Sequence, residues 1–374
     1  MNPSFRSARR CLRPCSIASS VFAIAVSSFL WTSSAQGAGS MNFGAVVDSR
    51  SWGSGSLQSL NYRLGAQVDA VDGWRAGIRV GYLTVRGRHS ASLSAPTDTR
   101  LFVSRRLFGS LESRLTVDLP TGYATQSESD MAITRSLQDV LLDLPVRSTG
   151  SSLRFSTALG GTYSPALDWT VGLGAAWQDP STYQPIEQGP DYDQGSSYSF
   201  SGVAEYRPGD WTWRTRVRWA HSGSGSYGST TIETSPGWTG DTMLLRRWTR
   251  TSGWLRFGFR QPSEYSDAEG MQLDAGRGNE QSLTLGAFLH ASTKLAFDGS
   301  LSHARYLGRG ARELGRSNRT ELHTGAELRI DSKSSLRLDL SIYRGQFRES
   351  TEAAPSDSQS WKGTQLKLAT VVRF

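Results

Sequence analysis

Trp211-Thr212-Trp213-Arg214-Thr215-Arg216-Val217-Arg218-Trp219 changes character at every step. One set of alternate positions carries Trp211, Trp213, Thr215, Val217 and Trp219; the other carries Thr212, Arg214, Arg216 and Arg218. Successive side chains of a strand point to opposite faces, so one face here meets an apolar medium and the other meets water. A helix would spread the three Arg and three Trp around most of its circumference. The segment predicts a strand.

The same period of two recurs along the chain. Apolar faces read Leu60/Tyr62/Leu64/Ala66/Val68, Trp74/Ala76/Ile78/Val80/Tyr82, Leu111/Ser113/Leu115/Val117/Leu119 and Leu153/Phe155/Thr157/Leu159. Others are Leu167 to Trp177, Leu283 to Leu289, Leu322 to Ile330, Leu336 to Ile342 and Leu366 to Phe374. Most runs are about ten residues long, the length a tilted strand needs to cross a bilayer. Short turns (71–73, 108–110, 164–166, 208–210, 331–334) alternate with longer polar stretches at 86–97, 120–150, 178–196, 222–240, 261–280, 306–318 and 348–360. That asymmetry is expected of an up-and-down barrel with short periplasmic turns and long external loops. The count predicts sixteen strands, with both chain ends on the short-turn side. The first strand (41–48) and the pair at 241–261 are the faintest, and without one pair the count is fourteen.

Aromatic residues recur eight apart on single strand faces: Trp74 and Tyr82, Phe155 and Tyr163, Trp169 and Trp177, Tyr198 and Tyr206, Trp211 and Trp219. Eight strand residues rise about 26 Å, which a tilt near 40° reduces to roughly 20 Å. One ring of each pair then falls at each membrane interface, as a girdle. Core aromatics of a soluble sandwich have no reason to keep this spacing.

Composition agrees with this reading but does not decide it. Mean hydropathy is negative and Gly abundant, at 39 residues. A membrane barrel and a soluble all-β protein share such averages, because half of each strand can face water. Residues 1–35 read as an export signal: Arg6, Arg9, Arg10 and Arg13, an apolar stretch from Ser16 to Trp31, then Ser33-Ser34-Ala35 before Gln36. Residues 36–374 then form a single barrel domain. Loss of the leader lowers the formal charge of +8 by four and removes both cysteines, Cys11 and Cys15. No disulfide, thiolate metal site or Cys nucleophile is expected in the remainder.

The last strand, Gln365 to Phe374, resembles the C-terminal assembly signal of bacterial outer-membrane proteins: a terminal aromatic preceded by alternating apolar residues, here Phe374, Val372, Leu368 and Leu366, with Thr370 the softer position. The resemblance implies handling by the barrel-assembly machinery and residence in the bacterial outer membrane, among lipid and lipopolysaccharide. Size, strand count and loop pattern resemble the general porins, which are often trimeric, so a homotrimer is an implied assembly. In that family the third external loop narrows the lumen. Here residues 120–150 are the longest such stretch, carrying Glu128, Asp130, Asp139 and Asp143. The acidic motif of enteric porin loops is not recognisable in it. Asp118-Leu119-Pro120-Thr121-Gly122 also resembles outer-membrane transporters linked to degradation of aromatic compounds.

The assigned register turns Arg75, Arg79, Arg100, Arg106 and Arg114 inward on strands 3–5. Arg214, Arg216 and Arg218 on strand 9 follow, with Arg256 and Arg260 on strand 11. Arg at the lipid midplane costs about 2–4 kcal/mol, so a closed barrel must aim these side chains at water. Basic rows facing an acidic loop would sort solutes by charge; equally, they would brace the wall by pairing with Asp and Glu. No catalytic constellation is expected: His290-Ala291-Ser292 has the spacing but sits on the lumen face, His221-Ser222 has the wrong spacing, and His89, His303 and His323 show no convincing partner. No metal or cofactor is expected. Nucleic acid is excluded because Arg and aromatics occupy opposite faces. The expected function is passive diffusion of small polar or anionic solutes. The alternatives are a specific transporter for organic acids or aromatics, and a non-conducting anchor or adhesin.

Overall fold

The computed structural model describes residues 38–52, 55–87, 92–122, 152–185, 189–263, 265–267, 279–307, 317–347, 350–351, 354–355 and 359–374. The expected leader, 1–35, and most of the expected constriction loop lie outside the described residues. So do Glu128, Asp130, Asp139 and Asp143.

Sixteen strands close into one antiparallel wall. The first eight are β1 (Ala38–Trp52), β2 (Gly55–Asp69), β3 (Trp74–Gly87), β4 (Ser92–Pro96 continued by Thr99–Phe108), β5 (Leu111–Leu119), β6 (Arg154–Ala166), β7 (Trp169–Pro180) and β8 (Ser197–Tyr206). The others are β9 (Trp211–Ser222), β10 (Gly237–Arg247), β11 (Thr251–Gln261), β12 (Asn279–His290), β13 (Leu295–Leu307), β14 (Ser317–Arg329), β15 (Ser334–Phe347) and β16 (Gln359–Arg373). Each pairs with its sequence neighbours, and β16 pairs with β1 from Ser40↔Arg373 to Trp52↔Trp361. At that seam Gly39 and Phe374 exchange backbone hydrogen bonds of 2.9 and 3.0 Å. Closure removes every free sheet edge, a requirement for strands in lipid.

Short turns join the strands at the end where Gly39 and Phe374 lie. Asp72 and Gly73 adopt positive φ (61° and 74°), as do Gly109 and Gly209. At the β14–β15 turn the Asp331 carboxylate accepts amide hydrogens from Lys333 and Ser334, both at 2.7 Å. Those donors hold its carboxyl below the usual carboxylate range. Several expected boundaries move, the first strand growing from 41–48 to Ala38–Trp52 among them. The turn placed at 164–166 falls at Leu167–Asp168, because β6 runs on to Ala166 through a register break after Tyr163. The long stretch placed at 86–97 is mostly strand, since Ser92–Pro96 continues the pairing with β3. At the opposite end the strands Tyr192–Asp193, Gly225–Tyr227, Thr230–Thr234 and Tyr265–Asp267 make a separate four-stranded sheet.

The wall is apolar outside. Leu173, Leu285, Leu301, Leu322, Ile342 and Leu366 are all exposed, Leu173 at 77%. In water this would be an untenable surface; fully burying one such side chain in an apolar medium contributes about 1.5–3 kcal/mol. The cross-strand partners Trp169 and Tyr206 stack at 4.8 Å near the short turns, while their strand-mates Trp177 and Tyr198 pair eight residues away. Trp219 stacks on Phe200 at 5.7 Å. Phe155 and Tyr163 are exposed, and Tyr82 pairs with Tyr62.

The buried apolar residues gather elsewhere, on the opposite face near the outer ends of β2–β4 and β15–β16. Leu57, Leu83, Val85, Leu93 and Ala95 are buried there, as are Tyr343 and Trp361. Beside them Arg50 and Asp48, both fully buried, form a 3.0 Å ion pair. The Arg50 guanidinium carbon lies 3.7 Å from the Tyr343 centroid. Gly363 makes this possible, because a Cβ there would collide with Arg50 Cδ.

Candidate solute pathway

Alternation along β3–β5 puts the first Arg group on the face opposite the apolar belt, and cross-strand neighbours decide what each one touches. Arg75 Nε donates to Asp69 at 2.5 Å. Arg100 makes a two-pronged contact with Asp118, at 2.6 and 2.8 Å. Arg106 stands opposite Glu112 in the register. Arg79 and Arg114 differ: their guanidinium carbons lie 5.6 and 4.5 Å from the centroid of one ring, Phe102. Phe102 itself is buried against Gly77, where a Cβ would come within 2.5 Å of the ring.

The second group is denser. Arg214 and Arg207 both donate to Glu205. Arg216 reaches Asp241 with Nε and Nη2 at 3.1 and 3.2 Å, and Arg256 reaches the same carboxylate at 3.2 Å. Arg218 donates to Ser199 Oγ at 3.2 Å. Arg260 lies opposite Glu280. A cavity of about 760 Å³ is lined by Arg216, Arg218, Arg256 and Arg260 with Glu112, Asp241 and Glu280. Its floor on β6–β8 is made of Gly160, Gly174 and Ser201, which leave the space open.

The alternation that turns the Arg inward does not single out three of the carboxylates that pair with arginine, Asp48, Asp69 and Asp241. Asp241 sits between Gly240 and Thr242, where the apolar alternation is faintest. At the short-turn end of the apolar face two Arg were missed as well. Arg105 lies 5.0 Å from the Trp74 ring, and Arg246 lies 5.1 and 5.3 Å from those of Trp211 and Trp248. All stand near the short turns, where a guanidinium can rest on an interfacial aromatic.

Two expectations about histidine need correction. His323 Nε2 lies 3.1 Å from Asp298, and its Nδ1 lies 3.1 Å from Ser341 Oγ; His303 Nδ1 lies 3.0 Å from Thr320 Oγ1. Asp298, His323 and Asp339 could in principle converge on a cation. Arg337 already bridges the two carboxylates at 2.8 and 2.7 Å, however, and Lys367 stands 3.6 Å from Asp339. The donor set is charge-compensated and does not fit a metal. At His290-Ala291-Ser292, the Ser292 hydroxyl oxygen accepts turn amides from Lys294 and Leu295, and His290 packs edge-on to Phe288. No dyad forms there.

Asp118 to Gly122 has a local task. Thr121 Oγ1 accepts from the Thr99 amide and donates to the Thr97 carbonyl, both at 2.9 Å, and the Gly122 amide reaches Asp98. The segment pins the irregularity at Thr97 and Asp98 that divides β4.

A closed antiparallel wall, a belt of exposed apolar side chains and charges turned to the other face define a transmembrane β-barrel of the bacterial outer-membrane type. No family model matches the chain, and no curated protein matches it. Among solved structures it is similar to Acinetobacter baumannii OccAB4, with 7% identity over 90% of this chain and 98% of that one, and a TM-score of 0.48. Pseudomonas aeruginosa OpdQ gives 6% identity, 91% and 99% coverage and a TM-score of 0.47. OmpT, an outer membrane protein of Vibrio cholerae, gives 10%, 90%, 98% and 0.40.

Proposed function

We propose that the chain is a passive outer-membrane channel for small polar and anionic solutes, with no enzymatic step. The observation that carries this reading is a set of guanidinium groups on the polar face without a carboxylate each, some along the cavity and some outside it. Along the cavity Asp241 meets two arginines and Arg218, among the described residues, meets a hydroxyl; outside it, Arg79 and Arg114 rest on a ring. Such a surface attracts anions and orients dipoles while leaving room for water. Residues 1–35 act in this account as the export signal. Leu366, Leu368, Val372 and Phe374 serve assembly, and a homotrimer is the proposed assembly. Residues 120–150 serve as the constriction loop, so deleting 128–143 should raise single-channel conductance. An unchanged value would remove that assignment.

Arg79, Phe102 and Arg114 favour a second reading, a transporter selective for organic acids, because two guanidiniums fixed on one ring suit a carboxylate. Liposome swelling separates the two. Neutral sugars and small anions should both enter for the general channel. Entry of organic anions alone would favour the specific transporter.

A further inference from the structure

On the apolar face of β13–β16, the only charges are positive and they cluster at one end. Alternation and register define rows that run across the four strands. Leu301, Leu322, Ile342 and Thr364 form the last row of the apolar belt. The next row outward is His303, Thr320, Arg344 and Lys362, and the one beyond is Arg305, Asn318, Gln346 and Ser360. The His303–Thr320 contact confirms that this row shares one face. Arg305, Arg344 and Lys362 are exposed. No Asp or Glu occurs on the outward positions of these strands; Asp298, Glu321, Glu327 and Asp339 all take the opposite parity.

Arg344 and Lys362 are direct cross-strand partners. Like charges in that relation repel, and no carboxylate among the described residues relieves them. The contrast with the short-turn end is instructive. There the outward cations Arg105 and Arg246 rest on Trp rings, whereas no aromatic or carboxylate partner accompanies Arg344 or Lys362 among the described residues. With strands about 4.8 Å apart and rows about 6.8 Å apart, the donors cover a patch roughly 14 Å wide at the outer edge of the belt. That is headgroup depth. Hydroxyl, amide, ammonium and guanidinium donors together, without an acceptor charge, match phosphate oxygens.

We propose that this face, centred on Arg344 and Lys362, binds the phosphorylated headgroup of lipopolysaccharide in the outer leaflet. The acyl chains would lie along Leu301, Leu322 and Ile342, and the phosphate would bridge the two opposed cations. The site is on the opposite face of the wall from the solute pathway, so it stands or falls independently of conduction.

The test uses the full barrel refolded in micelles, with heat-modifiable gel migration to verify folding, and lipid A as probe. Wild type should retain lipid A through size-exclusion chromatography and native mass spectrometry. Arg344→Ser with Lys362→Ser should lower the affinity about tenfold or more, as loss of two charge-assisted contacts requires. Equal retention by the double variant would overturn the proposal. A second arm needs no variant: wild type should not retain lipid A stripped of its phosphates, and undiminished retention would show acyl packing alone. Millimolar inorganic phosphate should leave bound lipid A in place. Its displacement would mark a free-phosphate site and refute the lipid assignment.

Discussion

Arg79 and Arg114 share one aromatic platform, at 5.6 and 4.5 Å from the Phe102 centroid, and neither has a carboxylate partner among the described residues. The direct cross-strand partner of Arg79, Arg100, is already neutralised by Asp118. The pair is therefore a concentration of unbalanced positive charge on the polar face. Replacing both with Ser should move the zero-current potential in a salt gradient toward cations while conductance persists. An unmoved potential would reduce the two side chains to wall filling.

Gly77 is the space that the Phe102 ring occupies. A Cβ there would meet ring carbons at 2.5 Å and the Ala66 carbonyl at 2.8 Å, and the carbonyl cannot yield. Gly77→Ala should cost about 1–3 kcal/mol of folding stability, the usual range for forced overpacking. Urea unfolding in micelles, followed by Trp fluorescence, measures it. A midpoint equal to wild type would contradict the placement of the ring.

Asp241 separates bracing from selectivity. Its partners Arg216 and Arg256 are about half exposed, so solvent screens the pairs and each contributes little to stability. Asp241→Asn should leave the unfolding midpoint within about 1 kcal/mol of wild type and sharpen anion preference. A large stability loss with unchanged selectivity would make these Arg braces and nothing more.

Asp48 and Arg50 should behave in the opposite way. Both are fully buried, and stripping one partner strands a charge out of reach of water. Asp48→Ala should destabilise by about 3–5 kcal/mol, whereas an apolar replacement of both should cost much less. Comparable losses in the single and double variants would refute the pairing as the cause.

Much of the wall was legible because a strand's period is short and its error is large: shifting one residue would put Arg214, Arg216 and Arg218 into lipid. The faint pair β10–β11 is faint for a physical reason. Gly240, Gly253 and Gly258 interrupt the faces that alternation depends on, and with them Asp241 passed unnoticed. Ion-pair partners were illegible because they depend on register between strands: Arg216 and Asp241 lie 25 residues apart. Arg344 takes the outward parity of Leu336 to Ile342, but being charged it carries no apolar signal of its own. The packed cluster around Arg50 had no signal in the alternation, since Leu83, Val85 and Tyr343 take positions that elsewhere carry polar groups.

Planar-bilayer recording of the purified barrel in a tenfold KCl gradient tests the central claim most directly. The account predicts a steady ohmic conductance with a zero-current potential displaced toward the chloride equilibrium value. No conductance from a barrel verified as folded, or a potential displaced toward potassium, would contradict it.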